Sequence, residues 1–359
     1  IDRYPFRIVN IHPSLLPYHP GSNAYKQAWE EGVRVSGCTA HFVTEQLDAG
    51  PVILQDVFHI HVGEDALEDV KARGRELEGK VLSQAVQLYL NDQLVVKDKK
   101  VGKHVVPIVA DESRTFGMEG MFRQLGIWSP LGQLYTPQDA DQLMFYKESK
   151  SGQILQEGIN EAGAMCSWLA AATSYSNHGV PMIPFFIFYS MFGLQRTGDL
   201  WWAAGDSRAR GFLLGGTAGR TTLNGEGLQH EDGHSHVWAA QIPNCIPYDP
   251  TYGYGVAVIL HDGLRRMYAE QEDLYYYLTV MNENYPQPSL PEGAQAGIIK
   301  GMYRVAAQGP ATAAGRVRLL GSGAILRECM AAAQLLADDW NVASETWSVT
   351  SYSELAREA

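Results

Sequence analysis

Cysteine is scarce in this 359-residue chain: four residues, Cys38, Cys166, Cys245 and Cys329, with no C-x-x-C spacing among them. Such wide separation argues against a disulfide framework or a zinc site and fits buried thiols in a reducing compartment. Clustered Lys and Arg are also missing, and the formal net charge is -12. Contacts along a nucleic acid need dense positive charge, so no nucleic-acid partner is expected. No apolar run is long enough to cross a bilayer, so no membrane partner is expected either. A charged leader or signal-peptide pattern is lacking, and the chain opens at Ile1 directly on apolar residues, as if in the middle of a domain. These absences leave a soluble, cytoplasmic protein whose partners are small molecules or other proteins.

What is present is the texture of a globular α/β protein. Hydrophobic residues make up 45% and charged residues 19%, and the length suits more than one domain. Phe6 to Ile11 suits a short buried strand, after which Pro13, Pro17 and Pro20 enforce a loop before a short helix at 23–31. Strands at 33–43 and 51–62 follow. Leu67, Val70, Leu77, Val81, Leu82, Ala85 and Leu88 recur at helical spacing and close a small layer. Past the charged turn at Lys97 to Lys100, a strand at 105–109, a long loop at 126–147 and a helix following Glu161 precede regular alternation. That alternation runs strand 181–188, helix 192–204, strand 211–214, strand 244–248, helix 256–268 and strand 274–280, which predicts a mostly parallel sheet. Beyond a Pro-rich linker at 282–293, strand 316–320, helix 324–338 and a strand near 347–349 form one βαβ unit.

Two groups of residues carry chemistry. In Asn-Ile-His-Pro-Ser, Asn10 and His12 are two apart on a strand and face one side where the backbone turns away at Pro13. An amide donor stabilises an oxyanion, an imidazole moves a proton, and a carboxylate such as Asp48 orders the histidine. The plainer reading is a turn-capping Asn beside a structural His. The second group is Glu161, Tyr189, Glu226 and His230 in Gly-rich surroundings that let a backbone approach a ligand. Here the plainer reading is a Glu serving the helix dipole beside an ordinary loop. His230-Glu231-Asp232-Gly233-His234 satisfies H-E-x-x-H, but the internal Gly and Gly-rich flanks predict a loop instead of a zinc-binding helix, and no metal ligands are expected.

Longer motifs add resemblances. Asn10 to Gly21 (NIHPSLLPYHPG), Gly37 to Val43 (GCTAHFV) and Gln46 to Ile53 (QLDAGPVI) closely resemble the phosphoribosylglycinamide formyltransferase family. The resemblance implies that Asn10, His12 and Asp48 transfer a formyl group from 10-formyltetrahydrofolate to glycinamide ribonucleotide, with His41 close by. Val106 to Gly120 (VPIVADESRTFGMEG), Gln156 to Glu161 (QEGINE) and Thr221 to His236 (TTLNGEGLQHEDGHSH) resemble the homodimeric decarboxylating component of bacterial pyruvate dehydrogenase. That resemblance implies thiamine diphosphate as cofactor, with Glu161 on the aminopyrimidine and Glu112 and Tyr189 binding it. Tyr189, Glu226 and His230 then act on pyruvate, and a lid spans 131–147. It also implies a homodimer and a lipoyl acetyltransferase partner. Mg and the diphosphate are not expected to find their site here, since the Gly-Asp-Gly motif is absent.

The expected fold class is α/β throughout. A partial formyltransferase layer (1–96) is followed by a truncated thiamine-diphosphate-binding-type parallel domain (97–285) and an incomplete third α/β domain (294–359). The expected function is thiamine-dependent oxidative decarboxylation of pyruvate with acetyl transfer to a lipoyl group, the chain as given being incomplete and inactive. The alternatives are a glycinamide ribonucleotide formyltransferase of purine biosynthesis and a chimeric, non-functional reading frame joined near Leu94 to Lys100.

Overall fold

The computed structural model describes residues 8–16, 18–19, 23–43, 48, 50–90, 102–110, 113–122, 124–141, 145–218, 227–281, 283–309, 312–313 and 315–358. The chain divides into two compact units, Ile1–Lys97 and Asp98–Ala359. The turn expected at Lys97 to Lys100 lies outside the described residues.

The first unit is an antiparallel sheet of β1 (Val9–His12), β2 (Val35–Phe42) and β3 (Val52–His59) in that order, with helices α1 (Ala24–Glu30) and α2 (Leu67–Leu90). The middle strand β2 is buried from Ser36 to Phe42, whereas β1 buries only His12. This corrects the buried strand expected at Phe6 to Ile11. As described, β1 begins at Val9 and pairs with β2 alone, so one of its edges is not covered by the sheet. Along α2, the stripe Val70, Val81 and Ala85 is fully buried at helical spacing. Gly74 sits in the same stripe because a Cβ there would lie 2.3 Å from the ring of Tyr25.

The second unit opens with β4 (Val105–Val109), α3 (Glu119–Phe122), β5 (Ile127–Trp128), β6 (Glu148–Ser149) and β7 (Leu155–Gln156). It continues through α4 (Glu161–Ala172), α5 (Ser174–Asn177), β8 (Ile183–Tyr189), α6 (Gly193–Asp206) and β9 (Phe212–Gly216). Then come α7 (Ser235–Ala239), β10 (Cys245–Tyr248), α8 (Gly253–Leu264) and β11 (Tyr275–Thr279). Six of these strands form one sheet, ordered β10-β11-β9-β8-β4-β7, and every pairing is parallel. The alternation of strand and helix in the sequence has this origin.

Three strand prolines test the assignment, because proline offers no N–H to a ladder. Pro184 pairs with β4 but precedes the first residue of β8 that meets β9. Pro107 pairs with β8 but precedes the first β4 residue that meets β7. Pro247 lies on the edge strand β10. Each proline therefore stands where one side of the strand has no partner in the sheet. Between the strands and helices lies an aromatic core that includes Trp168, Phe188, Trp201, Phe212, Tyr275 and Tyr277.

The chain continues through α9 (Ala294–Ile299), β12 (Met302–Gln308), β13 (Gly315–Gly321), α10 (Ile325–Trp340), β14 (Val342–Val349) and α11 (Tyr352–Glu358). The expected βαβ unit is β13-α10-β14, with parallel strands, and the unexpected β12 adds an antiparallel partner to β14. The Asp249 carboxylate accepts hydrogen bonds from Thr279 at the end of β11 and from Ser322 after β13. It thus ties the small sheet to the large one.

Cys38 and Cys245 are buried, and burial pushes both thiols up to about 12. Cys166 is exposed and Cys329 half-buried, which corrects the expectation of four buried thiols. Cys166 occupies the outer face of α4, between the buried Met165 and Trp168.

Candidate functional site

A parallel sheet collects loops at the C-terminal ends of its strands, and ligands bind in the crevice there. In the large sheet, β8 ends on Tyr189, β7 leads through a short loop to Glu161, and β9 leads towards His230. Glu161 begins α4 because Asn160 caps it: the Asn160 side chain accepts a hydrogen bond from the Gly163 N–H at 3.0 Å. The helix dipole favours a carboxylate at that end. His230 closes a 3-10 turn, Leu228–His230, entered through Gly227 at φ 77°, a conformation that costs glycine little.

The structure brings Glu161, Tyr189 and His230 to one cavity of about 200 Å³. Its remaining walls include Phe116, Phe192 and Arg196. The His230 ring lies 4.8 Å from that of Tyr189 and 5.2 Å from that of Phe192, and Phe116 packs 5.1 Å from Tyr189. Glu161 is largely buried, and its Oε1 accepts a hydrogen bond from Arg196 Nη1 at 2.7 Å. The Arg196 guanidinium also stacks over Phe192 at 4.1 Å. Arg196 was not anticipated. It sits 35 positions from Glu161 on α6, and only the packing of α4 against α6 makes the pair. Glu112 and Glu226, also expected here, lie outside the described residues.

The H-E-x-x-H stretch does not form a continuous helix. His230 ends the 3-10 turn and His234 precedes α7, with the Asp232 carboxylate accepting from the backbone N–H of His234 and Ser235. No group of three metal-binding side chains occurs among the described residues. His236, two residues on, reaches Thr279 Oγ1 at 2.8 Å and faces Tyr277.

In the first unit, Asn10, His12, His41 and Asp48 form a second cluster. The antiparallel register sets Asn10 opposite His41, and their side-chain nitrogens are 3.5 Å apart. Asp48 Oδ2 lies 3.4 Å from His12 Nδ1, and Oδ1 lies 3.8 Å from His41 Nε2. Both histidines are buried. His12 Nε2 also lies 3.0 Å from the His19 carbonyl, so both ring nitrogens of His12 face oxygen atoms. Asn10 and His12, two apart on β1, are also linked through His41 and Asp48. None of the helices among the described residues is long and apolar enough to cross a membrane.

A six-stranded parallel sheet with its pocket at the strand ends defines a transketolase-like α/β architecture. Transketolase from Leishmania mexicana superimposes with a TM-score of 0.52 over 82% of this chain and 45% of that one, at 13% identity, which is a likeness of fold alone. The chain belongs to the family described as pyruvate dehydrogenase E1 component middle domain, whose model matches residues 66–288. A transketolase-like C-terminal domain model matches 301–359, and a formyl transferase model matches 1–86. The first and last of these three matches overlap on α2.

Among curated proteins, the pyruvate dehydrogenase E1 component of Cupriavidus necator is 66% identical over 294 residues, covering 82% of this chain and 32% of that protein. That of Escherichia coli K12 is 61% identical over 284 residues, covering 79% and 32%. The chain spans about a third of the length of the curated relatives it matches.

Proposed function

We propose that the pocket at the sheet ends binds the aminopyrimidine part of thiamine diphosphate in a pyruvate dehydrogenase E1 component. The reaction is oxidative decarboxylation of pyruvate with acetyl transfer to a lipoyl group. The observation that carries this reading is the convergence of Glu161, Tyr189 and His230 in one aromatic-lined cavity of a chain from this family. The residues fit the group: flat aromatic walls suit a heterocycle, and a buried carboxylate offers a charged acceptor to a ring N–H. Bound there, thiamine diphosphate would supply a nucleophilic carbon and an electron sink.

This chain's own residues have separable tasks. Glu161 holds a proton at the heterocycle nitrogen, and Arg196 keeps the carboxylate oriented through Oε1. Tyr189 and His230 orient the 2-oxo acid, with the His230 ring available to carry a proton. Glu112 and Glu226 are proposed to complete the pocket, and the loop at 131–147 to close over it. Mg and the diphosphate are assigned no residue of this chain. A homodimer, a lipoyl acetyltransferase partner and a cytoplasmic location belong to the same reading, as does division into regions 1–96, 97–285 and 294–359.

Thiamine without its diphosphate is the probe that isolates this pocket. Calorimetric titration of the purified chain is expected to show saturable binding, and a featureless titration would overturn the assignment.

A second reading applies to the first unit, where the grouping of His12, His41, Asp48 and Asn10 supports a formyl-transfer role. Asn10 would hold the developing oxyanion, and His12, ordered by Asp48, would move the amine proton. Formylation of glycinamide ribonucleotide from 10-formyltetrahydrofolate by the purified chain, measured by release of tetrahydrofolate and abolished by His12→Ala, would support this reading. No release above the rate without protein would reject it.

A further inference from the structure

In a chain of net charge -12, the small sheet gathers three arginines around one carboxylate. Arg304 on β12 and Arg316 and Arg318 on β13 line a cavity of about 850 Å³ together with Glu345 and Ser344 on β14. The register explains the grouping: Glu345 stands opposite Ala307 on one side and Arg318 on the other, and Arg316 stands opposite Ala343. One carboxylate serves two of the cations. Arg304 Nη1 reaches Glu345 Oε1 at 3.2 Å and Arg318 Nε reaches Oε2 at 3.1 Å. Arg318 foremost, and then Arg304, hold the Glu345 carboxyl below the usual carboxylate range. Arg316 has no carboxylate partner among the described residues.

Three guanidiniums against one carboxylate make a concave surface with a positive excess. Ala307, Val317 and Ala343 add an apolar side to it.

We propose that this cavity binds a small phosphate-bearing anion, with Arg316 as its principal cation, Arg304 and Arg318 contributing their remaining N–H donors, and Glu345 acting as a built-in competitor. Guanidinium favours phosphate oxygens because its planar fork donates in pairs. The site is separate from the pocket holding Glu161, and it stands whether or not thiamine binds there.

Calorimetric titration with inorganic pyrophosphate at low ionic strength tests it, using the full chain and two substitutions. Wild type is expected to saturate at one site. Arg316→Ala is expected to weaken binding at least about tenfold. Glu345→Gln is expected to tighten it several-fold, because the competing charge is removed while the shape is kept. A gain of affinity cannot come from misfolding, so Glu345→Gln keeps the test decisive even if Arg316→Ala disturbs the sheet. Absence of saturation overturns the proposal, as does pyrophosphate binding unchanged by both substitutions. Saturation by an acidic peptide but not by pyrophosphate also overturns it, in favour of a protein-docking surface.

Discussion

Trp168→Ala is expected to destabilise the second unit by about 5 kcal/mol, read as a fall in its urea midpoint. Trp168 is fully buried under the sheet, with its ring edge-on to Tyr275 at 5.7 Å. Large-to-small replacement at such a site costs about 3–5 kcal/mol, because the close-packed surroundings cannot collapse into the space. A second loss adds to this. The indole Nε1 donates to the Phe212 carbonyl at 3.0 Å, and removing the donor takes a hydrogen bond from a buried backbone acceptor. A domain's whole stability is of order 5–15 kcal/mol, so the variant stands near the edge of unfolding. Trp168→Phe separates the two contributions. It keeps most of the ring volume, loses the donor, and is expected to cost about 1–2 kcal/mol. Equal costs for Phe and Ala would refute the packing argument.

The same packing separates what could be read from the sequence from what could not. The strand Val105 to Val109 and the start of α4 at Glu161 were legible because the signals are local: an apolar run, and a Glu suited to a helix start. The meeting of Glu161 and Tyr189 has a simple origin, since Tyr189 ends a strand, Glu161 begins a helix, and parallel strands bring such ends together. The Glu161–Arg196 pair was not legible, because nothing local marks one arginine among the polar residues of α6. Nor was β12. Its Met-Tyr-Arg-Val-Ala-Ala-Gln run mixes small and charged residues, and an irregularity between Arg304 and Ala306 breaks the period-two pattern. The two-residue strands β5, β6 and β7 are too short to leave any periodicity. In the first unit, the partnership of Asn10 with His41 depends on the register between β1 and β2, which no spacing within one strand contains.

Glu161→Gln is expected to weaken thiamine binding about a hundredfold while leaving stability almost unchanged. Hydrogen bonds to a charged group contribute about 1.5–3 kcal/mol, and the upper part of that range corresponds to a hundredfold. The carboxylate is largely buried in an aromatic-lined cavity, where competition from water is reduced, which favours the upper part. Gln keeps the shape, and its amide oxygen can still accept from Arg196, so the walls stay in place. The costs to folding are small and identifiable. The favourable charge at the start of α4 contributes about 0.3–1 kcal/mol. The Arg196 side chain, 46% exposed, can return to water. The unfolding midpoint should therefore move little while the binding isotherm moves by two decades. If both fell together, Glu161 would be a structural residue of the helix start. If neither moved, the heterocycle would have to bind elsewhere. Tyr189→Phe offers the contrast within the same pocket: it keeps the ring packed against His230 and Phe116 and removes only a hydroxyl, so thiamine should bind it nearly as tightly as wild type.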